Sequence, residues 1–494
     1  MRLRNSIFYS AMMLTAVNLL LRFTGTAFQV YLSGQIGAAG IGLLQLVLSV
    51  SGLSTTAAAA GIRTCTMYMT AEELGRKRPQ NVTWVISGAV CYSILFSTVI
   101  ASAVYLFAPT IARLWIGNST AESALRLFAL FLPVTCLCGV MTGYFTAANR
   151  ILTLAGVEIF EQILSITVTF AALTLWAGPD PGRACQAVIL GGCAGATLTL
   201  CVLVILRLRE KPPTGPRIPV WRRIADTALP LALADDLKAG ISTTENLMVP
   251  KRLALFSSAA DPLAMFGTVC GMVFPILMFP CAILFGLTEL LVPELARCNA
   301  AGNRERIRYL MERSLTVVVL YGCLFAGLLF VLAEPLCLTL YRSSEAGYYL
   351  RLYAPLAVML YSDIVTDAMI KGLGQQKASV RYNILTSSMD VALLFVLLPK
   401  WGMMGYFISF TVTHAINFVL SIRRLVKITG QRPPIKCGIC SILCACAGAL
   451  AAMLCSHIGL RVVVFLAVYL SALFLLNAVS REDLHWIKTI VRLK

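Results

Sequence analysis

Residues Leu229 to Leu253 read LPLALADDLKAGISTTENLMVPKRL, an apolar stretch carrying charges that a lipid-facing helix tolerates poorly. Asp235, Lys238, Ser242 and Glu245 are spaced three, four and three residues apart, so a helix aligns them in one polar stripe flanked by Asp236. An ionised side chain at the centre of a membrane helix costs roughly 2.5–3.5 kcal/mol on insertion scales. Several on one helix argue against contact with lipid and for a wet or protein-lined interior, where intramembrane charge marks a functional site. The structural alternative is an Asp–Lys pair that only joins helices.

The surrounding chain has the composition of a membrane protein. Of its 494 residues 58% are hydrophobic and 13% charged, and the mean hydropathy is +0.81, whereas soluble domains carry about 25% charged residues. The net charge of +18 follows from the positive-inside rule and anionic lipid. A nucleic-acid partner is not expected, because no basic, aromatic-interleaved soluble segment exists. Most of the 17 cysteines sit singly in apolar runs as small polarizable fillers. The tightest group, Cys437, Cys440, Cys444 and Cys446, opens an apolar helix with only His457 nearby, so neither a metal site nor a cofactor is expected. Met1 to Asn5 followed by a long apolar run reads as an uncleaved first helix.

Hydropathy marks fourteen spans, near 7–31, 41–69, 82–108, 124–147, 153–177, 185–207, 224–249, 262–292, 309–333, 349–370, 379–398, 403–422, 436–456 and 461–479. The second and eighth exceed the usual length and are expected to tilt or carry a soluble extension. Twenty-eight of the 41 Lys and Arg fall on the side of the N-terminus and nine on the other, with Arg22, Arg63, Lys238 and Arg313 inside spans. That asymmetry places both termini in the cytoplasm. LRLFA at Leu125–Ala129 recurs as LRLYA at Leu350–Ala354, and Arg76-Lys77-Arg78 has a counterpart in Arg304-Glu305-Arg306. Spans one to six therefore resemble spans seven to twelve, a parallel repeat of the kind transporters use. The expected division is 1–207 for the first lobe, 208–222 for a Pro-rich basic cytoplasmic linker, 223–430 for the second lobe and 431–494 for a terminal helix pair and tail.

The first span has its own polar stripe, Thr15, Asn18, Arg22, Thr26 and Gln29. Small polar residues commonly join helices, but an intramembrane Arg needs an anionic partner or water. Glu158, Glu161, Ser165 and Thr169 share a face of the fifth span, Asp363 and Asp367 form an i,i+4 pair in the tenth, and Arg63 lies in the second. Glu289 and Asp390 stand singly and are weighed as interfacial, and His414 as a packing residue. Pro230, Pro250, Pro275 and Pro280 punctuate spans seven and eight, where kinks suit alternating access. No phosphate-cradling loop, HExxH or GxSxG signature occurs, so an enzyme is not expected.

Several segments resemble the stage V sporulation protein B-like polysaccharide exporters. They are RFTG at Arg22–Gly25, IGAAGIGLLQ at Ile36–Gln45, GYFTAANR at Gly143–Arg150 with Glu161 and Gln162, ENLMVPKRL at Glu245–Leu253, GMVFP at Gly271–Pro275, YLRLYAP at Tyr349–Pro355 and KGLG at Lys371–Gly374. The superfamily also holds multidrug antiporters and lipid-linked peptidoglycan-precursor flippases. The resemblance implies an all-α polytopic membrane protein of about 14 transmembrane helices, two six-helix lobes around a central cavity, and a C-terminal helix pair. It implies a polyprenyl-pyrophosphate-linked sugar as substrate, made on the cytoplasmic leaflet for cell-envelope, spore-cortex or polysaccharide synthesis. A pyrophosphate wants cations, Arg above all, which singles out Arg22, Arg63 and Lys238, with Asn18 and Gln29 beside Arg22. Asp235, Asp236, Glu245, Glu161, Asp363 and Asp367 are expected to pair with those cations or to bind a coupling ion. Expected partners are the lipid-linked glycan, membrane lipid and envelope-synthesis enzymes. The rival readings are a cation-coupled multidrug or metabolite efflux antiporter and a non-transporting scaffold of an envelope-synthesis complex.

Overall fold

The computed structural model describes residues 2–178, 180–210, 219–257, 261–431 and 433–476. Most of the expected 208–222 linker and the end of the C-terminal tail lie outside these residues. The described chain is helical throughout, without a strand. Its internal contacts divide it into two units, Met1–Gly267 and Thr268–Lys494.

The first unit holds α1 (Arg2–Ala59), α2 (Ile62–Gly75), α3 (Pro79–Thr110), α4 (Ala121–Ala147), α5 (Ile151–Ala172), α6 (Pro181–Arg209), α7 (Trp221–Leu253) and α8 (Pro262–Gly267). The local sequence sets these boundaries. Pro79, Pro181 and Pro262 open helices at a position where the missing N–H is not needed. The Asp180 carboxylate accepts from the backbone N–H groups of Gly182 and Arg183, and Asp261 accepts from those of Leu263 and Ala264. Ile62, Met69, Val85, Ala89, Val140, Phe145 and Leu203 form a buried core among α2, α3, α4 and α6, joined by Ile224, Ala228 and Ala232 of α7. This packing of α7, with that of α8 on α1, carries the contact boundary past the expected linker to residue 267.

The second unit holds α9 (Phe274–Met278), α10 (Cys281–Ala300), α11 (Arg304–Tyr341), α12 (Ser344–Tyr353), α13 (Ala357–Gly372), α14 (Gln376–Thr429), α15 (Ile435–Met453) and α16 (Ile458–Leu475). Asn303 and Ser343 cap α11 and α12 by accepting from Arg306 N and Ala346 N at 3.0 and 3.1 Å. The terminal pair α15 and α16 packs on α11, where the Phe465 ring fills the space left by Gly327 and Gly448.

The hydropathy spans map onto these helices with breaks that apolar runs conceal. The first two spans share α1, which breaks at Gly37 (φ 68°), and the eleventh and twelfth share α14, which breaks at Gly402 (φ 56°). The long second span is interrupted rather than simply tilted, since Ala60 and Gly61 both take the left-handed conformation. The eighth is bent by 58° between Met278 and Cys281, where Pro280 supplies no N–H.

Glycine allows one close crossing. A Cβ on Gly42 would meet Leu263 O at 2.3 Å, and one on Gly267 would meet Ala38 O at 2.0 Å, so α1 and α8 touch backbone to backbone. Gly156 has nothing within 4 Å of such an atom. Gly42→Val or Gly267→Val is expected to destabilise the detergent-solubilised protein by about 1–3 kcal/mol or more, read as a fall in thermal midpoint. Gly156→Ala should leave the midpoint unchanged or slightly raised.

Candidate substrate-binding site

The charged stretch of α7 is one continuous helix, Trp221–Leu253. Ile224, Asp235, Ser242, Val249 and Leu253 are spaced 11, 7, 7 and 4 residues apart, which returns each to nearly the same face at 100° per residue. Ile224, Val249 and Leu253 on that face are fully buried, yet Asp235 and Ser242 between them are exposed, as is neighbouring Lys238. The helix is thus seated at both ends and stands clear in the middle, where the charges are. Thr243 Oγ1 donates to Ser49 O at 3.1 Å and Asn246 Nδ2 to Ser49 Oγ at 3.0 Å, tying α7 to α1. Lys251 Nζ donates to Leu114 O. The two adjacent acids diverge: Asp235 is exposed, while Asp236 is half-buried, with one carboxylate oxygen fully enclosed and without a hydrogen-bond donor.

Arg22 of α1 and Arg63 of α2 are both exposed, and Asn18 and Gln29 are half-buried. Gln162 of α5 donates to Leu21 O at 2.8 Å, and Gly25 leaves room for its amide, so α5 holds the turn of α1 that carries Arg22. Arg63 is pressed against α4, where a Cβ on Gly143 would meet its carbonyl oxygen at 2.5 Å. Glu161 accepts from Thr199 Oγ1 of α6 at 2.7 Å and packs on Gly195. The α5 stripe is therefore turned partly toward α6, where Thr169 is buried against Gly191. The first unit contains every expected site residue except Asp363 and Asp367.

Those two acids do not act as a pair. Asp367 takes Lys371 Nζ at 2.6 Å and the Ser379 hydroxyl. Asp363 accepts from Asn417 Nδ2 at 2.9 Å, and the other carboxylate oxygen of Asp363 and the amide oxygen of Asn417 are enclosed without a hydrogen-bond donor. Asp390, weighed as interfacial, is instead 6% exposed and accepts from Ser409 Oγ at 2.5 Å and Thr413 Oγ1 at 3.2 Å. His414 packs on the Phe410 ring, 4.2 Å between centroids, and Glu289 is exposed. The signal for the Asp390 network was in the sequence: Ser409, Thr413, Asn417 and Ser421 recur every four residues, and all four are buried. Among the described residues no group of three or more His, Cys, Asp or Glu converges as metal ligands.

The MatE family model matches residues 15–174 and 257–396, more than half of the chain. The chain belongs to the MatE family. It is similar to stage V sporulation protein B of Bacillus subtilis (strain 168), 21% identical over 408 residues that cover 80% of this chain and 78% of that protein. Among solved structures, the lipid II flippase MurJ in an inward closed conformation matches with a TM-score of 0.70 at 11% identity, over 93% of this chain and 98% of that one. An inward-facing multidrug resistance MATE family transporter of the MOP superfamily matches at 0.65 and 15% identity, over 84% and 99%. The fold is the one MatE transporters share. Nine helices among the described residues are long and apolar enough to cross a membrane, and the MatE chain is a multi-pass membrane protein.

Replacing Ser409 by Ala together with Thr413 by Val would leave the Asp390 carboxylate buried without those two donors. Hydrogen bonds to charged groups contribute about 1.5–3 kcal/mol each, so the double variant should show a clear fall in thermal midpoint. Thr411→Val, which loses only a bond to the Phe407 carbonyl of its own helix, should show little change.

Proposed function

We propose that this protein is a flippase or exporter that moves a lipid-linked, polyprenyl-pyrophosphate sugar or oligosaccharide across the cytoplasmic membrane by alternating access. The observation that carries the reading is the middle of α7, where Asp235, Lys238 and Ser242 are exposed on a face that is buried at either end. Such a helix needs water or a charged ligand beside it. The same unit presents Arg22 and Arg63, and three cations match the chemistry of a diphosphate headgroup. The likeness to stage V sporulation protein B and to the lipid II flippase supports a lipid-linked substrate over a soluble one.

In this reading Arg22, Arg63 and Lys238 receive the headgroup, Asn18 and Gln29 border it, and Asp235, Asp236, Glu245 and Glu161 compete for the cations when it is absent. The functional division is 1–207, a linker at 208–222, 223–430, and 431–494. Both termini lie in the cytoplasm, and the product feeds cell-envelope, spore-cortex or polysaccharide synthesis, in company with envelope-synthesis enzymes.

A second reading, cation-coupled efflux of small compounds, has one observation of its own. The enclosed, undonated oxygens of Asp363 and Asn417 in the second unit are the chemistry that holds a hard cation. It enters here as the coupling ion of the same transporter, alongside Asp367.

The test is flipping of a lipid-linked sugar in reconstituted vesicles, followed by access of an impermeant lectin or oxidant. Arg22→Ala and Lys238→Ala should each slow flipping about tenfold or more with normal expression, the effect of losing one charge-assisted contact. Unchanged flipping would overturn the site assignment, and ion-gradient-driven export of a cationic dye with no flipping would favour the second reading.

A further inference from the structure

The first turns of α7 are clasped to α2 by charge. Arg223 gives Nη2 to Glu72 at 2.8 Å and Nη1 to Glu73 at 3.0 Å. Behind the clasp lies an apolar seat of small residues. Val220 and Ile224 occupy the space that a Cβ on Gly88 of α3 would need, at 2.5 and 2.9 Å. Trp221 lies against Tyr92, with ring centroids 5.8 Å apart. The Cys65 thiol of α2, 0% exposed, gives a weak hydrogen bond to Ile224 O at 3.8 Å.

Two features make this a contact built to open. Each acid keeps a second partner on its own side: Glu73 accepts from Asn81 Nδ2 at 2.9 Å, and Glu72 pairs with Arg76 at 2.7 Å. Removing Arg223 therefore orphans neither carboxylate, even though the Glu73 side chain is only 2% exposed, and an orphaned buried carboxylate is what makes such a pair hard to break. The Arg223 side chain is itself 40% exposed, so water can take over its donors.

We propose that Arg223 with Glu72 and Glu73 forms a reversible latch that holds the first turns of α7 to α2 on the basic, Arg76-Lys77-Arg78 side of the protein. The latch must release once in each transport cycle. Its purpose rests on the flippase reading, whereas its existence does not. Release uncovers Cys65, which serves as a native reporter beneath Ile224.

The experiment has two arms. In membrane vesicles, Cys65 alkylation by a maleimide is followed by mass spectrometry of its peptide. Wild-type protein should be protected. Arg223→Ala should raise labelling about tenfold or more, the change given by roughly 1.4 kcal/mol of lost closing free energy. Arg223→Lys, which keeps a charge, should stay near wild type. In the second arm, Gly88→Cys with Val220→Cys places two Cβ atoms about 3.6 Å apart, within disulfide range. Oxidation should stop flipping and keep Cys65 protected, and reduction should restore flipping. Equal Cys65 labelling in wild type and Arg223→Ala, or full flipping with the disulfide formed, overturns the latch. Loss of flipping in the unmodified protein overturns the proposed function instead, and the labelling arm then decides the latch alone.

Discussion

Hydrocarbon does not solvate charge, and that constraint organises the molecule. In a multi-pass membrane protein, a helix bearing Asp235, Asp236, Lys238 and Glu245 is stable only if the charged part is wet or paired while the rest is packed. The seat of α7 meets this by dividing the work along one face. Apolar and small side chains bury its two ends, and Asp235, Lys238 and Ser242 between them are exposed. Burial of Ile224, Ala228 and Ala232 supplies the hydrophobic free energy, and the Ser49 contacts fix the helix in register.

The opposite solution appears in the second unit. There the acids are not left clear but enclosed: Asp390 by two hydroxyl donors, Asp363 by an amide, Asp367 by a lysine. Neutral hydroxyls hold the Asp390 carboxylate, whereas Asp367 has the Lys371 cation beside it.

Much of this was legible in the sequence. The all-helical membrane fold followed from hydropathy, and the α7 stripe from its three-and-four spacing. The breaks at Gly37, Ala60–Gly61 and Gly402 were not, because a left-handed residue inside an apolar run leaves hydropathy untouched. Arg223 was hidden for another reason: at the end of a basic linker it reads as one more positive-inside charge, and only packing shows that it faces Glu72 and Glu73. The buried Ser409-to-Ser421 row carried a four-residue period, but hydroxyls in a membrane helix more often bond their own backbone, which masks such a row. The roles proposed for Arg22, Arg63 and Lys238 rest on chemistry and likeness together, since charge at a spacing names a ligand class and not a ligand.

Water at the middle of α7 is the claim from which the rest follows. It is tested most directly by a nitroxide attached to Ser242→Cys in protein reconstituted into liposomes, with collision rates measured for a water-soluble nickel chelate and for oxygen, which partitions into lipid. The account predicts that the nickel chelate dominates at this position, while a label at Leu106→Cys, on the exposed apolar surface of α3, reports oxygen. Oxygen dominating at Ser242→Cys would contradict it.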